Sequence, residues 1–230
     1  MLRLVSVVLV TTLLHASALA CAYRELEDVP LTPDGATLLD EGGVLMTTEH
    51  KDDSGGGGGG GGLSLTSGGV PIEVTVEQLA PALSLMRPKQ ALARKLELVG
   101  SRGSIVRSFA QNTGGKRLPA PRGKVTSTLT RDAVSRSRYA ISAAMTITLA
   151  QDPPKDAAAL VVFEGTGADR AGRAWTVPVR GQRTYTFSQG GKQCTPGPVV
   201  ARQGARVSLA WFDIHGRESR AATVAVTAKR

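Results

Sequence analysis

Side chains that could act as nucleophiles, bases or metal ligands are few in this chain of 230 residues. The two cysteines, Cys21 and Cys194, lie far apart, and beyond the first twenty residues the histidines are His50 and His215. Zinc sites and nucleophilic sites need clusters of such residues, and the sequence has none. It also lacks a G-x-S-x-G motif and the lysine and hydroxyl spacing of a phosphate-binding loop. We therefore expect no catalysis, no metal and no cofactor.

Carboxylates offer one route by which the chain could still be an enzyme. Glycoside hydrolases place two acidic side chains on either side of the bond that they break. Glu164, Asp169 and Asp213 could supply such a pair if the fold brings two of them together. A hydrolase with a carboxylate site is therefore our third hypothesis about function.

Arginine side chains suggest binding rather than catalysis. The chain has 28 Lys and Arg against 19 Asp and Glu, for a net charge of +9. Arg202, Arg206, Arg217 and Arg220 lie near the edges of the last predicted strands, and guanidinium groups bind carboxylates and phosphates through paired hydrogen bonds. These four residues are the candidate site for an anionic glycan or lipid head groups. The alternative is that the arginines serve only solubility.

Nucleic acid is not an expected partner. Proteins that bind single strands alternate basic residues with aromatic side chains on which bases stack. Aromatic residues make up 4% of this chain and do not alternate with the arginines.

The first twenty residues have the pattern of a secretory signal peptide. Arg3 precedes the uncharged, mostly apolar run from Leu4 to Leu14, and Ala18 and Ala20 form an A-x-A cleavage pattern. The run is too short to cross a membrane, because a spanning helix needs about 20 residues. We predict a signal peptide over 1–20; the alternative is a buried helix or strand.

Cleavage after Ala20 would leave Cys21 at the mature N-terminus. The segment Ala18-Leu19-Ala20-Cys21 resembles the lipobox of a bacterial lipoprotein precursor. The resemblance implies diacylglycerol on the Cys21 sulfur, a membrane anchor and a place in the cell envelope. Ordinary signal peptidase also accepts Ala-x-Ala, so plain secretion is the alternative.

Cys194 has three interpretations that follow from the fate of Cys21. If Cys21 is lipidated, Cys194 is an odd thiol and can pair with another chain. If Cys21 is not lipidated, the two cysteines can form one disulfide. The third interpretation is a partly buried, unreactive thiol.

Residues 21–62 differ in charge from the rest of the chain. They contain nine acidic and two basic residues (net −7), whereas 63–230 contains twenty-five basic and ten acidic residues (net +15). The segment ends in eight consecutive glycines, Gly55–Gly62, which have maximal backbone freedom to lose. Composition therefore predicts a flexible, disordered tether over 21–62, either a selected spacer or an unselected expansion.

The predicted body, 63–230, has the pattern of an all-β fold. "KVTSTLT" and "AAMTITL" alternate apolar residues with threonines, and "ALVVFEG" is the continuous apolar run of a strand buried on both faces. Turn signals such as "QDPPKD" and "IHGRES" separate these runs at short intervals. The break at "LPAPRG" allows a second domain boundary near residue 120.

The last twenty residues of this pattern, "VSLAWFDIHGRESRAATVAV", resemble the final hairpin of immunoglobulin-like or fibronectin type III-like domains. The resemblance implies a β-sandwich. The first hypothesis is thus a non-catalytic, envelope-anchored β-sandwich module with a binding or structural role. The second is a secreted protein that binds anionic glycans or surfaces through an arginine-rich face.

Overall fold

A computed structural model describes most of the chain. The described residues are 26–39, 42–50, 63–89, 95–100, 103–112, 116–135, 138–165, 170–189 and 204–229. Four predicted site residues, Ala20, Cys21, Cys194 and Arg202, lie outside these ranges, as do the signal peptide and the glycine run, so the predictions about them stay predictions.

Every regular element in the described ranges is a β-strand, and the all-β prediction is confirmed. The strands are β1 (Leu26–Pro30), β2 (Thr37–Leu39), β3 (Val44–His50), β4 (Ser64–Ser67), β5 (Val70–Pro71), β6 (Val74–Ala80), β7 (Leu83–Pro88), β8 (Lys95–Val99), β9 (Ile105–Asn112), β10 (Gly123–Ser135), β11 (Arg138–Leu149), β12 (Ala157–Glu164), β13 (Ala171–Thr176), β14 (Thr184–Gln189), β15 (Arg206–Asp213) and β16 (Ala222–Lys229).

The strands form three sheets. A four-stranded sheet has the order β1-β3-β7-β6, a five-stranded sheet has the order β2-β9-β8-β4-β5, and a seven-stranded sheet has the order β13-β12-β15-β16-β10-β11-β14. Strands β1 to β9 thus make up the two smaller sheets, and β10 to β16 make up the largest one. The chain passes from the two smaller sheets to the largest sheet between residues 112 and 123, close to the boundary that the sequence allows near residue 120.

The four-stranded sheet lies between the other two. Its inner strands bury side chains on both faces: Leu45 and Leu85 pack with the seven-stranded sheet, whereas Val44 and Met86 pack with the five-stranded sheet. The consecutive apolar residues at the start of β3 suit this position, since a strand covered on both faces needs no polar alternation.

The seven-stranded sheet curls around its own apolar face, which we call its inner face. One buried cluster draws residues from all seven strands, including Ala174 of β13 and Tyr185 of β14, although these two strands are the opposite edges of the sheet. The right-handed twist of neighbouring strands accumulates into such curling. The curled sheet therefore leaves an outer face that must be covered or polar.

The prediction of a flexible tether over 21–62 is wrong for residues 26–39 and 42–50. These residues form β1, β2 and β3, and Leu38, Val44, Leu45 and Met46 are at most 3% exposed. The acidic side chain of Asp34 is exposed and accepts a hydrogen bond from the backbone N–H of Ser108 at 2.7 Å. A high acidic content thus hid a short apolar core, because acidic side chains such as Asp28 and Asp34 are exposed while the apolar residues are buried.

The turn between β15 and β16 contacts this N-terminal segment. The backbone N–H of Gly43 donates to the carbonyl of His215 at 3.0 Å, and a ring nitrogen of His215 contacts the carbonyl of Thr37. Gly216 lies directly against the backbone of Gly43. The C-terminal hairpin and the N-terminal strands are therefore parts of one packed structure.

Candidate functional site

The outer face of the seven-stranded sheet is divided into a covered half and an open half. Much of the outward side of β12 and the second half of β15 is apolar, and Val161, Phe163 and Phe212 pack against Leu83 and Leu85 of the four-stranded sheet. Within the part of the chain that the structure describes, the outward positions of β16, β10, β11 and β14 have no such cover, and most of those with a described side chain are exposed. The open half is therefore available to a ligand.

Hydroxyl side chains occupy most of this open half. We call it the hydroxyl face and define it by twelve outward positions: Thr223, Ala225 and Thr227 on β16, Lys124, Thr126 and Thr128 on β10, Ala144, Thr146 and Thr148 on β11, and Thr184, Thr186 and Ser188 on β14. Nine of the twelve carry a hydroxyl, and none is a carboxylate.

Four threonines form one row across four strands. Thr227 pairs with Thr126, Thr126 pairs with Thr146, and Thr146 pairs with Thr186. The hydroxyls of Thr146 and Thr186 lie 3.1 Å apart, within hydrogen-bond distance. Neighbouring strands are about 4.8 Å apart, and threonine side chains have few rotamers, so the row presents hydroxyls in a regular, ordered array.

A second row places two cations beside the threonines. Arg206 of β15 pairs with Ala225, and Ala225 precedes Val226, which pairs with Val125. Lys124, the residue before Val125, is therefore beside Ala225 and opposite Thr148. Arg206 and Lys124 are both exposed and lie two strands apart, about 10 Å by the spacing of strands.

A cleft borders the hydroxyl face on the side of the covered half. It has a volume of ≈ 400 Å³ and is lined by Arg117, Arg170, Ser208, Glu218, Ser219, Ala221 and Thr223. The lining shares Thr223 with the hydroxyl face, so the cleft and the face are continuous.

The cleft contains an ion pair rather than an open anion site. Both terminal nitrogens of Arg170 donate to the carboxylate of Glu218, and the Arg170 guanidinium lies 4.1 Å from the centre of the Phe163 ring. Donation of hydrogen bonds to the Glu218 carboxylate raises the pKa of Arg170 above its ordinary value, although partial burial opposes this. Arg170 is thus permanently charged, and Glu218 compensates that charge.

Of the four arginines predicted as one anion site, the three that the structure describes do not come together. Arg206 is exposed on the outer face, but Arg217 is only 7% exposed and is paired with Asp213. Arg220 is exposed at the hairpin end. It lies five residues before Ala225, the strand partner of Arg206, and five residues of extended chain span about 16 Å. Arg202 lies outside the described residues. The prediction is therefore wrong for Arg217 as a surface site, because its side chain is buried within the hairpin.

The carboxylate pair of the hydrolase hypothesis is not assembled from Glu164 and Asp213. Asp213 is opposite Ala157 on β12, and Glu164 is at the far end of that strand, opposite Val207. Seven residues of strand span roughly 23 Å, whereas the two carboxylates of a glycosidase are about 5–9.5 Å apart. Glu164 pairs with Arg173 instead. Asp169 lies outside the described residues.

No three His, Cys, Asp or Glu side chains come together as a metal site within the part of the chain that the structure describes. The same part contains no helix long and apolar enough to cross a membrane.

The sequence contained a signal for the hydroxyl face that charge counting missed. Thr126, Thr128, Thr146 and Thr148 alternate with apolar residues, so their position opposite the core is readable from the pattern. The sequence pattern does not give the registers that align these threonines across strands and that place Lys124 two strands away from Arg206.

No family model matches the chain, and no curated protein matches it in sequence.

Proposed function

We propose that the protein is an exported, non-catalytic β module of a bacterial cell envelope, anchored through lipid on Cys21, that binds an envelope polysaccharide. The observation that carries the binding role is the hydroxyl face: an open half-sheet of ordered hydroxyls with two adjacent cations. The signal pattern of residues 1–20 and the lipobox-like segment before Cys21 support export and anchoring. Plain secretion is the alternative location for the same binding role.

We propose further that residues 123–229 form an immunoglobulin-like or fibronectin type III-like sandwich. The strand order supports this proposal. Strands β10, β11 and β14 make one group of neighbours, and β13, β12, β15 and β16 make the other, joined by the parallel pair β10–β16. Seven strands in two groups, with connections that cross between them, are the arrangement of such sandwiches. The N-terminal strands would then be an added unit packed on one side.

Polysaccharide suits the hydroxyl face for a chemical reason. A threonine hydroxyl is both a donor and an acceptor, and so is each hydroxyl of a sugar ring. An ordered row of such groups can exchange its water hydrogen bonds for bonds to successive sugars with little loss of side-chain freedom, since threonine is stiff. A hydroxyl face therefore favours a long, polar, repeating ligand.

The anchor is tested by Cys21→Ser in the native host. Acyl chains contribute about 0.8 kcal/mol for each buried CH₂ group, and two chains suffice for stable anchoring. We expect the natural protein to incorporate labelled palmitate and to partition into detergent, and Cys21→Ser to lose both properties completely. Cys194→Ser is the matched control and should keep both. A mature protein that begins at Met1, or a Cys21→Ser variant that still incorporates palmitate, would disprove the anchor.

The binding role is tested by Thr148→Gln combined with Thr186→Gln. Both residues are exposed, one in each of the two rows, and the longer neutral side chains would disturb the hydroxyl face without changing its charge. We expect the mature full chain to bind at least one of immobilised peptidoglycan, dextran and carboxymethyl-dextran, and the double variant to bind it at least about tenfold more weakly, the loss of one or two hydrogen bonds. The control is Ser64→Gln with Thr75→Gln, exposed positions on the two smaller sheets. Equal binding by both variants would exclude the hydroxyl face as the site.

A further inference from the structure

We infer that the ligand of the hydroxyl face is an acidic polysaccharide whose carboxylates pair with Arg206 and Lys124. The inference rests on the proposed binding role and specifies its ligand. The threonines would hydrogen-bond the sugar hydroxyls, and the two cations would select chains with negative charge. The ligand would lie across the strands, along the row from Arg206 to Thr184.

The distribution of charge around the face supports an anionic ligand. Several arginines elsewhere on the surface are neutralised by carboxylates: Arg87 pairs with Glu77, Arg173 with Glu164, and Arg183 with Asp152. Within the described residues neither Arg206 nor Lys124 has such a carboxylate partner.

The chemistry of the two cations favours carboxylates along a chain. The guanidinium of Arg206 can bind a carboxylate through two parallel hydrogen bonds, whereas the ammonium of Lys124 acts as a point charge. Their separation, about 10 Å, is close to the length of a disaccharide. A polymer with an acidic sugar at every second position could therefore reach both cations while its other hydroxyls contact the threonines between and beyond them.

Two other anionic partners fit the hydroxyl face less well. Single-stranded nucleic acid needs aromatic platforms for its bases, and none of the twelve positions of the face is aromatic. A protein surface that binds lipid bilayers inserts large apolar side chains beside its cations, and the apolar members of the face are Ala144 and Ala225. The acidic polysaccharide is therefore the partner that matches both the charge and the hydroxyls.

The test compares dextran with carboxymethyl-dextran, which differ in their carboxylates. We expect the mature full chain to bind carboxymethyl-dextran at least about tenfold more tightly than dextran at low salt, and to lose most of this preference at 0.5 M salt, where screening is strong. Arg206→Gln with Lys124→Gln should weaken binding to carboxymethyl-dextran by about tenfold to a hundredfold, the loss of two charge-assisted contacts. Arg180→Gln with Lys155→Gln removes the same charge from exposed positions off the face and should change binding less than threefold.

Failure of the inference can be separated from failure of the binding role. If Arg206→Gln with Lys124→Gln binds as the control variant does, while Thr148→Gln with Thr186→Gln binds poorly, the face is a site but the two cations do not select its ligand. Equal affinity for dextran and carboxymethyl-dextran overturns the inference in the same way. Binding to phosphatidylglycerol vesicles that exceeds binding to carboxymethyl-dextran, and depends on the two cations, overturns it in favour of a lipid surface. Unchanged thermal unfolding of each variant confirms that a loss of binding is not a loss of fold.

Discussion

Gly216→Ala is expected to destabilise the protein by about 2–5 kcal/mol. Gly216 has a φ of +69°, a backbone conformation that costs an L-residue about 1–2 kcal/mol. A methyl group at Gly216 would also overlap the backbone nitrogen and carbonyl of Gly43, and neither atom can move without shifting β3. Overpacking of this kind costs about 1–3 kcal/mol or more. The midpoint of thermal unfolding should fall by about 5–15 °C, measured by circular dichroism.

Gly181→Ala is the matched control for this prediction. Gly181 has a φ of +83°, also in the left-handed region, but no atom lies within 4 Å of the place where its methyl group would be. Its substitution should therefore cost only the backbone term, about 1–2 kcal/mol. Equal losses at Gly181 and Gly216 would show that the C-terminal turn does not pack against Gly43 as the structure has it.

The contact between Gly216 and Gly43 also shows what sequence patterns cannot reveal. The glycine at 216 is readable as a turn residue, but nothing near it in the sequence indicates that a glycine 173 positions earlier must lie against it. The segment around Gly43 has a short apolar run among acidic residues. Composition weighs all residues equally, whereas the fold buries only a few of them, and the buried Val44, Leu45 and Met46 decide that this segment is a strand.

Much of the seven-stranded sheet was predictable, because its strands either alternate apolar with polar residues or consist of a continuous apolar run. Val125, Met145 and Ile147 face the core as period two predicts, and Leu160 to Phe163 are buried on both sides of β12. The same alternation predicts which threonines point outward. Alternation leaves open the register between strands, so the alignment of Thr227, Thr126, Thr146 and Thr186 could not be read from the chain.

The arginines were the least predictable part of the candidate site. Arg206 and Arg217 both lie near the last predicted strands in a basic sequence, and from the sequence both look equally able to bind an anion. One is exposed and the other is buried, because Asp213 lies four residues before Arg217 and the turn brings the two side chains together. An arginine near a carboxylate in a tight turn can serve the fold rather than a ligand.

Asp213→Ala is expected to cost about 3–5 kcal/mol of folding stability. One carboxylate oxygen of Asp213 accepts hydrogen bonds from the backbone N–H groups of His215 and Arg217, at 2.9 and 2.8 Å. The other accepts from the Arg217 side chain at 3.1 Å. The pair is almost fully buried, so removing the carboxylate takes a charged partner away from a buried guanidinium, which is the costly case for a buried pair. Denaturant unfolding monitored by tryptophan fluorescence measures the loss.

Asp152→Ala is the control, since Asp152 pairs with Arg183 at 2.6 Å in an exposed position where an ion pair is worth about 0–1 kcal/mol. The double variant Asp213→Ala, Arg217→Met provides a sharper test. It removes the buried charge together with its partner, so it should be more stable than Asp213→Ala alone, although the two backbone N–H groups still lose their acceptor. If adding Arg217→Met lowers the free energy of unfolding of Asp213→Ala further, the other contacts of Arg217 stabilise the fold more than its charge destabilises it. One of these contacts is the hydrogen bond that Arg217 donates to the Lys116 carbonyl at 3.2 Å. Such a result would make Arg217 a link between the hairpin and residue 116 rather than the partner of Asp213.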